Sequence, residues 1–389
     1  MKSIEEKKLT GLTMFMFIVM NFVLSMSATV FGGIMDQVAE QLSISVAETG
    51  LLNSVYAYGA GIGVPVFLIF FNRFDRTSLL KVMLGLNILA TVAMLLAGNF
   101  PLLLITRFIM GFTGNCYGVL ATASVAALSD EKSLGSTLSR LIMGSSLALV
   151  IGVPLTRALS GILDWRGIFW ILSAMMIIAL IYFAIKLPKN PNRMPQSGII
   201  SEFRFFKNKE VLLSLFTSLV TFIGYGGFYM YLTPYVLDRV PAIERYMSIF
   251  LVLVGISAFI GNLLGGKICD KLGYRKALSL GSLLQAGVAC AILFTGNMGW
   301  VNAALTLWLV MNGWMNGLLI NTAINVATQR KSSFMISLNG SGIQIGQALG
   351  GNIAAAIISS IGLRYMIIMC ILTSVVVYFA ETFAKIEQK

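Results

Sequence analysis

Residues 266–276 read Gly266-Lys267-Ile268-Cys269-Asp270-Lys271-Leu272-Gly273-Tyr274-Arg275-Lys276. The segment is short, carries four basic side chains and one acid, and lies between the apolar stretches 243–266 and 277–296. Each stretch is about as long as the roughly 20 residues a helix needs to cross the hydrocarbon core of a bilayer. Two membrane helices joined by a tight basic turn are therefore predicted. The positive charge places the turn on the cytoplasmic side.

The rest of the chain extends the pattern. Of its 389 residues 57% are hydrophobic and 11% charged, and mean hydropathy is +0.85. Soluble domains carry about 25% charged residues, so a soluble enzyme and a disordered chain are both excluded. Twelve spanning stretches are predicted: 9–35, 46–71, 78–98, 100–128, 134–162, 166–186, 211–236, 243–266, 277–296, 299–327, 333–360 and 362–384. The first is too long for a cleaved signal peptide and is expected to stay. Histidine is absent, which removes His-based metal sites, triads and proton shuttles. Cys116, Cys269, Cys290 and Cys370 stand singly in apolar runs, without metal or redox spacing. Neither a metal nor another cofactor is expected.

Sidedness follows from the basic residues. With the N-terminus inside, only Arg107, Arg157, Arg166, Arg239, Arg245 and Arg364 of the 28 Lys and Arg residues fall in the outer half. Both termini are therefore expected in the cytoplasm. The net charge of +12 reads as topology; the basic residues are scattered over short loops, so no nucleic-acid partner is expected. The longest polar stretch, 187–210, contains Pro188, Pro191 and Pro195. It divides the chain into an N-terminal six-helix bundle (1–186), a cytoplasmic linker (187–210) and a C-terminal six-helix bundle (211–389).

The halves look duplicated. The turn after the second stretch, Asn72-Arg73-Phe74-Asp75-Arg76, corresponds to the turn at Asp270. At nearly the same offset, Trp165-Arg166-Gly167 corresponds to Leu363-Arg364-Tyr365, and Gly144-Ser145 to Gly340-Ser341. Paired six-helix repeats around a midplane site are a transporter architecture.

Gly266-x-x-x-Asp270-Lys271-x-Gly273-Tyr274-Arg275-Lys276 resembles the cytoplasmic-loop signature of the major facilitator superfamily, and the resemblance extends over essentially the whole chain. It implies an all-α membrane protein of twelve transmembrane helices in two pseudo-symmetric six-helix bundles. The first-half copy has Leu68, Asn72 and Asp75 where the signature has Gly, Asp and Gly. Arg107-Phe108-x-x-Gly111 resembles the family's membrane-embedded arginine motif. Gly144-(x)7-Gly152-Val153-Pro154 resembles the antiporter motif of its exporters, with Val153 in place of the usual Gly. Together with Trp165-Arg166 and Asn339-x-Ser341-x-x-Gln344-x-Gly346, these motifs are most similar to the twelve-span drug:proton antiporter branch. Within it the arabinose-efflux-like and purine-efflux-like exporters are nearest.

Ionisable groups inside a membrane are costly and are functional candidates. Arg107, Arg157 and Asp36 all fall in the outer part of the first half. Each has a reading as a snorkelling end residue; the sharper reading joins them into a cluster that binds an anion or senses a proton. Asp36 is the candidate for proton coupling. No acid lies in the middle of a span, and Ala28 occupies the region where similar exporters carry a carboxylate. Cationic substrates are therefore disfavoured. Asn21, Asn115, Tyr117, Tyr225, Tyr229, Asn312, Asn316, Asn339 and Gln344 supply polar groups at midspan depth. They read either as cavity lining for substrate or as hydrogen-bonding between helices. Arg73, Arg76, Asp270, Lys271, Arg275 and Lys276 form the candidate cytoplasmic gate, with Asp270 expected to cap a helix start.

The chain is thus expected to be no enzyme. The reading is a secondary transporter in the cytoplasmic membrane of a bacterium that exports a small polar metabolite, neutral or anionic, by alternating access coupled to protons. A monomer contacting membrane lipids is expected. A polyspecific drug pump, an uptake transporter and a non-transporting sensor are the rival readings.

Overall fold

The computed structural model describes residues 9–71, 74–129, 133–187, 203–295, 298–329 and 332–384. It contains every predicted span as a helix. The first is Gly11–Gly33, the second Val46–Phe71, the third Arg76–Leu95, the fourth Phe100–Leu128 and the sixth Trp165–Lys186. The seventh is Lys209–Met230, the eighth Met247–Leu272, the ninth Tyr274–Phe294, the tenth Gly299–Ala327 and the eleventh Ser333–Ile361. The fifth covers Leu134–Leu159 and the twelfth Leu363–Phe383. Eleven of these are long and apolar enough to cross a membrane among the described residues. The eleventh span spends part of its 29 residues on Asn, Gln, Ser and Gly, and so falls short on hydropathy alone.

Three spans depart from the expected limits. The first ends at Gly33, and Asp36 opens a separate short helix, Met35–Leu42. The seventh breaks at Tyr231 and resumes as Leu232–Arg239. These breaks occupy corresponding places in the two halves. The fifth runs as α-helix to Leu147, as a π-helical turn over Ala148–Gly152 and as α-helix again over Val153–Leu159. Pro154 lacks an N–H and its ring crowds the preceding turn, which accounts for the altered ladder.

The two halves pack alike. In the first, span two lies against four, four against three, one against five, and six against one and three. In the second, eight lies against ten, ten against nine, seven against eleven, and twelve against seven and nine. Between the halves, span two meets eleven and span five meets eight. Glycines permit the closest approaches. A Cβ at Gly261 or Gly265 would press on the backbone of Met311 or Met315, and one at Gly346 or Gly350 on that of Leu219 or Ile223. In their most apolar 18-residue windows, 33% of the fifth span and 61% of the tenth are buried within the protein; exposed side chains such as Leu89, Ile178 and Leu372 form the lipid-facing belt.

The basic turn at 272–274 takes its shape from Gly273. Its φ of 75° is a left-handed conformation, which glycine adopts without the Cβ penalty. Asp270 lies in the last turn of the eighth span and does not cap the ninth, whose N-cap is Gly273 without a side-chain bond. The expectation of a capping role is corrected accordingly.

Candidate functional site

A cavity of about 340 Å³ lies between the halves. Its first-half wall consists of Ser25, Ala28, Thr29 and Gly32 of span one, Asn53, Tyr56 and Ala57 of span two, and Ser145 and Leu149 of span five. Its second-half wall consists of Gly226, Tyr229 and Met230 of span seven, Trp314 of span ten, and Gln344 and Gln347 of span eleven. Among the described residues, no charged side chain lines it. Asn53 Oδ1 and Trp314 Nε1 are buried without a hydrogen-bond partner among the described residues. The mixture of aromatic faces, amides and hydroxyls suits a compact polar molecule.

The outer end of the cavity is sealed. A narrow space of about 30 Å³ continues it past Thr29, Gly32, Val153, Tyr229, Leu232 and Thr233. Beyond this the halves bond to each other directly. The Thr233 hydroxyl donates to Gly32 O at 2.7 Å. The Tyr231 hydroxyl approaches Ala47 O at 3.3 Å and Gly351 O at 3.4 Å. Asn352 Nδ2 donates to the Tyr58 hydroxyl at 3.0 Å. Toward the cytoplasmic end, Thr122, Ser136, Ser139, Arg140 and Asn321 are exposed, and polar groups at membrane depth must face water or protein. The structure is therefore closed at its outer end, with exposed polar side chains toward its cytoplasmic end.

Two of the predicted substrate residues, Tyr229 and Gln344, line the cavity. The others lie outside its lining. Asn21 Nδ2 donates to Leu141 O at 2.9 Å, tying span one to five. Asn115 Nδ2 donates to Ala60 O at 2.7 Å, tying four to two. Tyr117 is fully buried in the first-half core. Tyr225 is buried with its ring against Gly313, and its hydroxyl reaches Val310 O at 3.5 Å. Asn316 Nδ2 donates to Gln285 Oε1 at 2.8 Å and to Asn312 Oδ1 at 3.1 Å, linking spans nine and ten. Asn339 accepts from the Ser218 hydroxyl and donates to Asn321 Oδ1 at 3.1 Å. Asn53, Tyr56, Ser25 and Ser145 were not among the predicted residues. Their polar character at midspan depth was the available signal, but the helix rotation that turns them inward is not visible in sequence.

The predicted cationic cluster is split. Arg157 Nη1 bonds both carboxylate oxygens of Asp36, at 2.6 and 2.7 Å, and neither residue lines the cavity. Arg107 is 0% exposed and belongs to neither the pair nor the lining. It donates from Nε to Leu52 O at 3.2 Å, from Nη1 to Ser27 O at 3.0 Å and from Nη2 to Ala28 O at 3.5 Å. Its guanidinium carbon stands 4.4 Å from the centre of the Tyr56 ring and 4.9 Å from that of Phe31.

The candidate gate is also divided. Arg73 lies outside the described residues, and Arg76 opens the third span. Asp270, Lys271 and Lys276 are exposed, and none makes an ion pair among the described residues. Arg275 stays within its own half, with Nη2 at 3.5 Å from Glu210 Oε1 and Nε at 3.7 Å from Glu381 Oε2. It joins spans seven, nine and twelve, and among the described residues it makes no ion pair with the first half.

Comparison with known proteins agrees with this architecture. The family model described as Major Facilitator Superfamily matches residues 17–336. An "Uncharacterized MFS-type transporter" of Bacillus subtilis (strain 168) is 26% identical over 346 residues, 89% of this chain and 88% of that one. A "Probable sugar efflux transporter" of Helicobacter pylori (strain P12) is 22% identical over 361 residues, 89% of this chain and 90% of that one. Among solved structures, the nucleoside transporter NupG superposes with a TM-score of 0.76 at 13% identity, covering 95% of this chain and 98% of the other. A D-xylose-proton symporter gives 0.74 at 15% identity, covering 95% and 97%.

Proposed function

Because the chain belongs to the Major Facilitator Superfamily, we propose that it exports a small polar metabolite of sugar size, neutral or anionic, across the bacterial cytoplasmic membrane. As a member of that family it is a membrane transporter and not an enzyme. The bundles 1–186 and 211–389, joined by the linker 187–210, rock about the central cavity. The observation that carries this reading is the lining. It joins Tyr56, Tyr229 and Trp314 with Asn53, Gln344 and Gln347 and contains no charge. Apolar ring faces and neutral hydrogen-bonding groups match a polyol or sugar. A cationic drug would enter this site without a counter-charge, at a cost no side chain offsets.

Export is supported by the fifth-span motif at Gly152-Val153-Pro154, similar to that of the drug:proton antiporter branch. Relatives named as sugar efflux transporters support it too. We assign proton coupling to the outer pair Asp36–Arg157, where Asp36 retains 27% side-chain exposure and so remains open to protons. One chain holds a complete cavity, which makes a monomer sufficient.

The test is transport into inside-out vesicles whose interior is acidified. The expected result is accumulation of a labelled neutral monosaccharide, collapsed by a protonophore. Accumulation of lipophilic cations with no monosaccharide movement would replace this reading with the drug pump.

A further inference from the structure

We infer that Arg107, although it never touches the cavity, sets the charge preference of the substrate by holding an unneutralised cation behind the Tyr56 wall. The inference rests on the proposed role of the central cavity as the substrate site and specifies which molecules enter it.

Arg107 has no carboxylate within ion-pair distance among the described residues. Its acceptors are the backbone carbonyls of Ser27, Ala28 and Leu52. Carbonyl dipoles solvate a guanidinium, but they do not cancel its charge at a distance. Asp36, the acid of the same outer region, is already committed to Arg157. Two of the groups around the guanidinium reach the cavity. The Tyr56 ring stands 4.4 Å from the guanidinium carbon, and Ala28 is both an acceptor and a wall residue. One layer of side chain thus separates a full positive charge from the substrate space. Arg107 is 0% exposed, so the medium between it and the Tyr56 wall is protein and screening there is weak.

The opposite wall has no charge with which to balance it. Tyr229, Trp314, Gln344 and Gln347 are all neutral. The field inside the cavity is therefore one-sided and positive toward the first half. A neutral sugar binds with an electron-rich oxygen turned toward Tyr56. An acidic sugar is favoured in the same pose, and an amino sugar of the same shape is repelled. The substrate class is neutral to anionic, and the exclusion of cations originates from Arg107.

Three methyl glucosides that differ only at the sixth carbon provide the probe: hydroxyl, carboxylate and protonated amine. Their binding to the detergent-purified protein is read by thermal shift at neutral pH. The alcohol and the acid are expected to bind, with the amine at least about tenfold weaker than the acid, a tenfold ratio being about 1.4 kcal/mol of discrimination. In R107Q the discrimination collapses to within about twofold. A28D places a carboxylate on the wall beside the same guanidinium and does not depend on R107Q folding. It is expected to raise amine binding and lower acid binding. Equal binding of amine and acid by the unaltered protein, or unchanged discrimination in both variants, overturns the inference. If no glucoside binds, the sugar reading fails alone. Benzenesulfonate and benzyltrimethylammonium then decide the electrostatic claim, with preference for the sulfonate sustaining it and preference for the ammonium overturning it.

Discussion

The Tyr231 hydroxyl occupies the space that a side chain at Gly50 would need. Tyr231 sits at the break that ends the seventh span, and Gly50 lies in the first turns of the second. A residue from one half is thus inserted into a slot in the other, with Ala47 O and Gly351 O beside its hydroxyl. The outer seal depends on the absence of a Cβ at one position.

Gly50→Ala is therefore expected to weaken the outward-closed state without unfolding either bundle. Loss of the hydroxyl contacts costs on the order of 1 kcal/mol, which shifts the closed-to-open ratio about fivefold. A cysteine introduced at Ser54, behind the seal, should then react faster with an impermeant maleimide added from the outer face. An unchanged labelling rate would count against the slot.

The pair Asp36–Arg157 makes a different prediction. Arg157 is 7% exposed at its side chain, so Asp36→Asn leaves a nearly buried cation without its partner. Breaking a buried pair from one side costs roughly 3 kcal/mol. Asp36→Asn is expected to lower the melting temperature, and the double variant Asp36→Asn, Arg157→Met to recover most of the loss. Additive destabilisation in the double variant would show that the two residues act independently. Proton-driven transport should be lost in both variants, even where stability is recovered.

Trp314 and Gln344 should separate binding from folding. Both line the cavity, and neither side chain carries a hydrogen bond that holds two helices together among the described residues. Gln344→Ala is expected to weaken substrate affinity about tenfold, as loss of one or two neutral hydrogen bonds requires. Melting of the free protein should change little. Asn316→Ala should do the reverse, because Asn316 bonds to Gln285 and Asn312 within the second half. A protein destabilised by Gln344→Ala but not by Asn316→Ala would invert the assignment of lining and glue.

Asp270→Asn is expected to leave melting within about 0.5 kcal/mol of the parent, since the residue is exposed and makes no ion pair among the described residues. Substrate binding from the cytoplasmic side should persist while the transport rate falls, because the charge is used only when the cytoplasmic side closes. Normal transport in reconstituted vesicles would remove Asp270 from the gate. Arg275→Ala should instead destabilise, because it deserts the nearly buried Glu381.

Twelve spans, their sidedness, the duplicated halves and the family were all legible in the order of residues. Each rests on a one-dimensional quantity: apolar length, the distribution of Lys and Arg, or the spacing around Asp270 and Gly273. The cavity was not legible in the same way. Asn316 and Asn339 are as polar as Asn53, Gln344 and Gln347, yet the first two stitch helices together and the last three face the cavity. Only the rotation of each helix against its neighbours distinguishes the two sets, and packing between distant segments determines that rotation. The same holds for the charges. Asp36 and Arg157 meet across 121 residues of chain, while Arg107, on the same side of the same half, turns to the carbonyls of spans one and two. Sequence specified which groups the membrane must accommodate; tertiary packing decided which of them neutralise one another and which are held by backbone carbonyls alone.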